Sequence, residues 1–276
     1  MGPGRIFPRL PFDDDIALRR QDDGSYAGAV AAGWETPRGP LGGYVMAIVL
    51  HGMQLAVGDD RRQPRSLTVH FLRPPHAGPV VVRPAVERAG RTLSTVTARL
   101  EQDDRPIALA LGAFSNAWES PLLPDGPMPE VEPPDAARPP MDSLRGDRPR
   151  PAFTERLTMQ HRFGDRPFSS AARGLVGGWL GLREARPIDA LTVAVLSDAW
   201  FPAPWPRLAE LAPAPTVELT VHFRAPLPLP DGLLLGRFGN RLVRDGFFDE
   251  DGELWAQDGT LVAMSRQLGL LIGARA

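Results

Sequence analysis

The string Leu-Thr-Val-His-Phe occurs twice in this chain, at residues 67–71 and again at 219–223. Identical strings half a chain apart indicate an internal duplication, and a duplication constrains the fold because both copies must form similar units. Three weaker matches follow in the same order along the chain. They are Gly33-Trp34 with Gly178-Trp179, residues 43–50 with 190–197, and residues 104–108 with 259–263. The sequence therefore predicts one fold built twice.

The composition limits the chemistry that the chain can perform. A net charge of −2 gives no electrostatic reason to expect binding to nucleic acid or to an anionic membrane. The chain has no Cys, which excludes disulfides, thiolate zinc sites and a cysteine nucleophile, and no Lys, which excludes a lysine Schiff base. Its longest apolar runs are far shorter than a membrane span, and the N-terminal residues do not resemble a secretory signal. We expect a cytoplasmic protein without a cofactor.

A proline-rich segment separates the two copies. Ten of the 33 residues from 119 to 151 are Pro. Proline fixes φ and lacks an amide donor, so neither a helix interior nor a central strand is expected to run through this segment. We predict an N-terminal module over residues 1–118, an extended linker over 119–151 that is long enough to cross the face of a domain, and a C-terminal module over 152–276.

Each copy shows the same predicted order: a Gly-Trp strand, an apolar helix and a run of strands. Residues 43–57 are apolar nearly all round, which predicts a helix buried on most sides, and 190–196 predicts its counterpart. Alternating residues predict strands at 66–71, 80–87, 92–102, 107–115, 217–223, 233–238, 242–249 and 260–271. Turns are expected at 249–252 and 257–259. One buried helix followed by antiparallel strands, twice, is an α+β pattern.

The order and spacing of these motifs resemble the double hot-dog acyl-CoA thioesterases of the bacterial thioesterase II type. The matching fragments are Gly33-Trp34, Pro-Leu-Gly-Gly-Tyr at 40–44, Leu-Ser-Asp-Ala at 196–199, both repeated strings, and Asp-Gly-Thr-Leu-Val-Ala at 258–263 followed by Gln267. The resemblance implies a tandem hot-dog fold, in which one continuous antiparallel sheet wraps two central helices. It also implies hydrolysis of an acyl-CoA to the free acid and CoA, and a homo-oligomer (a dimer or a tetramer).

The resemblance also implies the site residues. That family holds the attacking water with an Asp, a Thr and a Gln of the second repeat, and the matching positions here are Asp198, Thr216 and Gln267. The equivalent places in the first repeat hold other residue types, which implies a catalytically silent first module. These places are His51, Pro64 and, approximately, Gly112.

The chemistry of the residues themselves favours the same set. Asp198 follows the apolar run 190–196, so its carboxylate meets the unfavourable end of a helix dipole and needs polar partners where it is buried. A Thr hydroxyl and a Gln amide are neutral groups that could provide them. Taken singly, each residue is read equally well as an ordinary solvated side chain. Simple alternation places Thr216 on the outer face of its strand, opposite the face that covers the helix, and a β-bulge or an irregular strand start after Pro215 could turn it toward the site.

Hydrolysis also needs donors for the developing oxyanion and a grip on CoA. Gly42 and Gly43, at the start of the first helix, could expose backbone N–H groups to the oxyanion, or could simply allow close packing. Arginines could hold the CoA phosphates, although most of them are as well explained as solvated surface residues. The candidates are Arg88, Arg91, Arg237, Arg241 and Arg244.

Other functions have weaker support. The five His residues show no spacing typical of a metal site, and the sequence has no Gly-x-Ser-x-Gly elbow. His70 and His222, which are equivalent in the repeat, are expected to have structural or interface roles. Two functional classes stay open: an acyl-CoA thioesterase, and a non-hydrolytic binder of acyl or polyketide-like ligands on the same fold. A hot-dog dehydratase is a weaker third option.

Overall fold

The computed structural model describes residues 11–123, 126–135 and 150–273. Its first half contains a short helix, α1 (Pro11–Asp15), and a long one, α2 (Gly42–Val57). The strands of this half are β1 (Arg19–Arg20), β2 (Tyr26–Val30), β3 (Glu35–Thr36), β4 (Gly39–Pro40), β5 (Gln63–Phe71), β6 (Gly78–Ala89), β7 (Leu93–Gln102) and β8 (Arg105–Ser115).

The second half repeats the plan with a shorter helix, α3 (Ala190–Leu196), and 3₁₀ turns at Ala152–Arg156 and Trp205–Arg207. Its strands are β9 (Leu157–Gly164), β10 (Gly174–Leu182), β11 (Thr216–Phe223), β12 (Leu234–Asn240), β13 (Val243–Arg244), β14 (Phe247–Trp255) and β15 (Leu261–Leu270). All but the β3–β4 pair join one antiparallel sheet in the order β1-β2-β6-β7-β8-β5-β11-β15-β14-β12-β10-β9, with β13 on β14.

Both central helices lie against the inner face of this sheet. Every residue of α2 from Gly43 to Leu50 is buried, and so is every residue of α3. One hydrophobic core joins these helices to the inward side chains of both half-sheets, including Leu67 and Val69 of β5 and their counterparts Leu219 and Val221 of β11. The predicted burial of the helices on most sides and the predicted tandem α+β architecture are confirmed.

The two repeated strings meet at the centre of the sheet. β5 pairs with β11 so that Thr68 lies opposite Thr220, the residue at the same position of the other copy. A pseudo-two-fold axis therefore passes between these two residues. Their hydroxyl oxygens are 2.8 Å apart, and Thr220 also donates to Glu218 Oε1 at 2.5 Å, so Thr68 is the donor to Thr220.

The described part of the proline-rich segment, residues 119–123, 126–135 and 150–151, contains no helix or strand. Residues 126–135 nevertheless cover a sheet face. Trp179 Nε1 donates to the Glu132 carbonyl at 2.8 Å, and Gln160 exchanges two hydrogen bonds with the Asp135 backbone. Met128 and Val131 pack in a small cluster with Trp179 that is separate from the main core. This segment thus lies on the outer side of the second half-sheet.

Some local predictions are wrong. Gly33-Trp34 lies in a loop, whereas its counterpart Gly178-Trp179 lies in β10.

Residues 249–252 lie within β14 and form no turn, and the chain instead reverses at Asp245 and Gly246, whose φ angles of 53° and 79° suit a tight hairpin. The turn expected at 257–259 is confirmed, because the Ala256 and Thr260 backbones close it. The alternation of apolar and polar residues in the sequence predicted neither β2 nor β9.

We expect the hydroxyl pair at the seam to stabilise the joined sheet. Thr68→Val should lower the free energy of unfolding by about 1 kcal/mol, and Thr220→Val should lower it further because it also removes the donor to Glu218. A double-mutant cycle should show a coupling of about 1 kcal/mol, because both changes break the hydrogen bond that the two hydroxyls share. Urea denaturation measures this. Thr95→Val on β7 is the matched control, since the Thr95 hydroxyl has no partner among the described residues. Additive losses would show that the pair is not coupled.

Candidate active site

Asp198 lies where the two central helices meet. It follows the C-terminal end of α3, and its Oδ2 accepts a 2.8 Å hydrogen bond from the Gly43 N–H at the start of α2. A carboxylate at this end of α2 faces unsatisfied amide donors and the positive end of the helix dipole. The unfavourable position of Asp198 on its own helix is thus compensated by the helix of the other half.

The first turn of α2 lacks a cap from its own segment. The residue at its N-cap position is Leu41, which makes no side-chain cap hydrogen bond, whereas α3 is capped locally by Asp189 accepting from the Thr192 N–H. Asp198 therefore acts as a long-range cap for α2. This contact ties the candidate site to both halves of the chain.

Glycine is required at the start of α2 because the neighbouring atoms leave no room for a side chain. A β-carbon on Gly43 would lie 2.6 Å from the Val195 carbonyl oxygen, and one on Gly42 would lie 2.8 Å from Asp198 Oδ2. The close-packing interpretation of the glycines is therefore supported. The Gly43 amide, which was a candidate oxyanion donor, is engaged by Asp198 in this structure, and an oxyanion role for Gly42 and Gly43 stays a prediction.

Thr216 reaches the inner side of the sheet through a β-bulge. The pairing of β11 with β15 shifts register between Thr216 and Glu218, which confirms the expected irregularity after Pro215. Gln267 lies on β15, is buried, and donates through Nε2 to Thr216 Oγ1. The same Nε2 lies 3.5 Å from Asp198 Oδ1. The structure thus brings Asp198, Thr216 and Gln267 together.

Asp198 has an altered affinity for protons. Burial raises the pKa of this carboxyl to about 6, although the Gly43 and Gly42 amides, which favour the charged form, oppose the shift. At neutral pH the group is a carboxylate, but it is a stronger base than an exposed Asp. One oxygen is held by Gly43, so Oδ1, on the side of Gln267, is the oxygen that is available for chemistry.

A fourth polar group, Glu250, was not among the predicted site residues. It lies on β14 directly opposite Gln267, it is buried, and its Oε2 accepts from the Ala203 N–H at 2.6 Å. Burial and the Asp198 charge raise the pKa of Glu250 to about 8. The alternation of buried residues at Phe248, Glu250 and Leu254 was the available signal, but the turn predicted at this point concealed it.

The equivalent place in the first repeat has different chemistry. The registers correspond: Gly112 lies opposite Leu67 just as Gln267 lies opposite Leu219, and β5 also shifts register next to Pro64. His51 Nδ1 contacts the Ile16 carbonyl at 2.8 Å rather than the start of α3.

Capping of α3 also differs from capping of α2. The Asp189 cap is held by the partly buried Arg186 in a two-bond ion pair at 2.7 and 2.9 Å, and Arg186 also bonds Asp13. The two pseudo-equivalent helix N-termini are therefore satisfied by different means, one across the halves and one locally.

The five candidate arginines are not brought together. Arg88 and Arg91 lie on and just after β6 in the first half-sheet, whereas the other three lie at the far end of the second. Arg237 and Arg241 line an open cleft of about 440 Å³ and lie 3.6 Å from Glu253 and Asp251, respectively. Within residues 11–123, 126–135 and 150–273, no group of three or more acidic or His side chains could hold a metal ion.

Comparisons with known proteins agree with this architecture. A family model described as the acyl-CoA thioesterase N-terminal domain matches residues 30–115, and one described as the acyl-CoA thioesterase C-terminal domain matches residues 129–271. The chain therefore belongs to the acyl-CoA thioesterase family, and its fold is a double hot dog. No curated protein matches the sequence. None of the helices in the described residues is long and apolar enough to span a membrane.

Several solved structures are similar over nearly the whole chain. A hot-dog protein of unknown function from Alicyclobacillus acidocaldarius is 28% identical, with a TM-score of 0.82 over 97% of this chain and 99% of that one. A candidate thioesterase II from Thermobifida fusca is 27% identical, with a TM-score of 0.79 over 96% and 98%. An acyl-CoA thioesterase II from Mycobacterium marinum is 22% identical, with a TM-score of 0.77 over 97% and 100%, and shares the fold.

Enlarging Gly43 should separate the two helices. Gly43→Ala forces the start of α2 away from α3 and lengthens the hydrogen bond to Asp198, so we expect a loss of about 1–3 kcal/mol in unfolding free energy. Thermal and urea unfolding measure the loss. Gly239→Ala is the control, because a β-carbon there would have its nearest neighbour at 3.9 Å. Equal stability of the two variants would contradict the tight contact.

The raised pKa of Asp198 predicts a pH-dependent stability cost. Because the folded-state pKa of about 6 exceeds the ordinary value of 3.8, the folded protein loses stability as the pH rises from about 4 to about 6. Asp198→Asn should therefore be more stable than the wild type above pH 6, by up to roughly 3 kcal/mol, with no gain near pH 4. Unfolding at several pH values measures the difference, and a gain that is independent of pH would argue against a charge effect.

Proposed function

We propose that the protein hydrolyses an acyl-CoA to the free acid and CoA by direct attack of a water molecule that Asp198, Thr216 and Gln267 hold. The observation that carries this proposal is the convergence of three polar side chains from separate elements on one partly buried point, where Asp198 has the raised pKa of a base. Family membership supports the substrate class, and the inward bulge at Thr216 supports the geometry.

The chain's own groups account for the proton transfers. Asp198 Oδ1 takes a proton from the water while the water oxygen attacks the thioester carbon. Thr216 and Gln267 orient that water. The carbon–sulfur bond then breaks, and the protonated Asp198 returns the proton to the leaving thiolate. A carboxyl with a pKa of about 6 suits both steps, because a thiol has an ordinary pKa near 8.5.

The first half contributes to the site without supplying the base. Gly42 and Gly43 hold the Asp198 carboxylate in place at the end of α2, and the dipole of α2 keeps it charged at neutral pH. We propose that residues 1–118 form a catalytically silent module, 119–151 a linker, and 152–276 the catalytic module. The expected cytoplasmic location and the expected dimer or tetramer rest on the sequence and stay predictions.

Substitution of the base tests the proposal. Asp198→Asn keeps the shape and can still accept from Gly43, but it removes the charge, so turnover of acyl-CoA should fall by roughly 10²–10⁴-fold. Thr216→Ala and Gln267→Ala should each cost less, and the losses should not add because all three groups act on one water. Release of free thiol from a panel of acyl-CoAs measures the rates.

His51→Ala is the matched control at the pseudo-equivalent position. It should alter stability through its contact with the Ile16 carbonyl and leave the rate nearly unchanged. Acyl-CoA binding without thiol release by the wild type would favour the alternative function, a non-hydrolytic acyl-ligand binder. Full activity of Asp198→Asn would show that Asp198 is not the base of the reaction.

A further inference from the structure

Glu250 is a buried acid that the proposed water attack does not use. Its side chain is only 7% exposed and lies on the inner face of β14, between the buried Phe248 and Leu254. An ionised carboxylate in such a place costs free energy unless it is paired with a cation or several donors. The residue therefore needs an explanation that the fold alone does not give.

The contacts of Glu250 connect two parts of the candidate site. Across the sheet, its backbone lies opposite Gln267. On the other side, its Oε2 accepts the 2.6 Å hydrogen bond from Ala203, a fully buried residue five positions after Asp198. Trp200 and Phe201, between these two positions, are buried as well. Glu250 thus fixes the segment that carries Asp198 to the strand beside Gln267.

The charges around Glu250 favour its protonated form. Asp198 acts on it from the segment after α3, and Asp249 and Asp251 act on it from its own strand. On β15 the opposite residue is the neutral Gln267, while Arg266 pairs with Asp251 at 2.7 and 2.8 Å.

The strand on the other side, β12, supplies no compensating cation either. Its Asn240 is neutral and accepts from Arg207 at 3.1 Å. Arg237 and Arg241, at the same end of the sheet, lie near Glu253 and Asp251. Burial and the Asp198 charge together keep the carboxyl neutral at pH 7, in line with its pKa of about 8.

We infer that Glu250 is a positioning residue of the site: it holds the segment of Asp198 in place through Ala203 and keeps a proton, so that Asp198 is the single charged carboxylate there. The inference rests on the proposed function. When Glu250 ionises, two carboxylates share one buried site, and their repulsion favours displacement of the segment that carries Asp198. The proposed hydrolysis then fails at alkaline pH for a reason that is separate from the titration of Asp198.

The test is the pH profile of kcat/KM for a hydrolysed acyl-CoA between pH 5 and pH 10, with CoA release followed by chromatography and corrected for spontaneous hydrolysis. The wild type should lose at least tenfold between pH 7 and pH 9.5. Glu250→Gln still accepts from Ala203 but cannot ionise, so it should stay within about threefold of the wild type at pH 7 and keep its rate at pH 9.5. Glu253→Gln, on the outer face of the same strand, should behave like the wild type.

A second variant distinguishes the effect of the hydrogen bond to Ala203 from the effect of the Glu250 proton. Glu250→Leu removes the acceptor for Ala203, so kcat should fall by about tenfold or more at every pH, whereas Glu250→Gln should not show this loss. A Glu250→Gln profile with an unchanged alkaline limb would overturn the proton-holding role. A Glu250→Leu enzyme with a wild-type kcat would overturn the anchoring role.

Thermal unfolding gives a readout that does not depend on activity. The folded-state pKa of Glu250 exceeds the ordinary value of 4.5, so the wild type loses stability relative to Glu250→Gln as the pH rises from about 4.5 to about 8, and the difference is constant above that. If no acyl-CoA is hydrolysed but this difference in stability appears, the proposed function is wrong, whereas the claim that Glu250 is protonated in the folded protein is supported. If the enzyme is active and the difference is absent, the inference about Glu250 fails.

Discussion

The contact between the start of α2 and the end of α3 is the constraint on which the rest of the structure depends. Two helices can approach this closely only because position 43 has no side chain, and the approach places the Gly43 amide on the Asp198 carboxylate. A carboxylate that is unfavourable at the end of its own helix becomes a cap for the other. The β5–β11 seam makes this possible, because pairing the repeated strings around Thr68 and Thr220 lays the two helices side by side.

Duplication explains why the two halves can differ. In a symmetric pair of identical subunits, any substitution changes both helix ends together. In a single chain, the N-terminus of α3 is capped by its neighbour Asp189, and the place equivalent to Asp198 holds His51. Each helix start has unpaired amide donors, and either a local or a distant carboxylate can accept from one of them. The distant carboxylate has one oxygen that no helix amide binds and that lies 3.5 Å from Gln267 Nε2, whereas the local one is bound through both oxygens by Arg186.

The sequence was sufficient for the features that depend on pattern. The repeat predicted the doubled architecture, and the apolar run predicted the burial of α2. The conflict between alternation and motif at Thr216 indicated either a bulge or an irregular strand start after Pro215, and the register of β11 shifts at this point. Two features could not be predicted. The four residues at 249–252 have the composition of a turn, so packing overrode their local propensity and placed them in β14. The engagement of Gly43 by Asp198 is a contact between halves, which no local pattern encodes.

The strand β14, where a turn was expected, also contains the buried Glu250, and its environment differs from that of the partly buried Asp198. Asp198 receives amide donors from the start of a helix, which favour its charge, whereas Glu250 accepts the Ala203 amide and faces the Asp198 charge. One environment keeps a carboxylate ionised near neutral pH and the other keeps a carboxyl protonated. Such a separation of pKa values allows neighbouring acids to have distinct roles in one site. Because both folded-state pKa values exceed their ordinary values, ionisation of each acid lowers the stability of the fold at neutral pH. Their presence in one site is therefore better explained by chemistry at the site than by the stability of the fold.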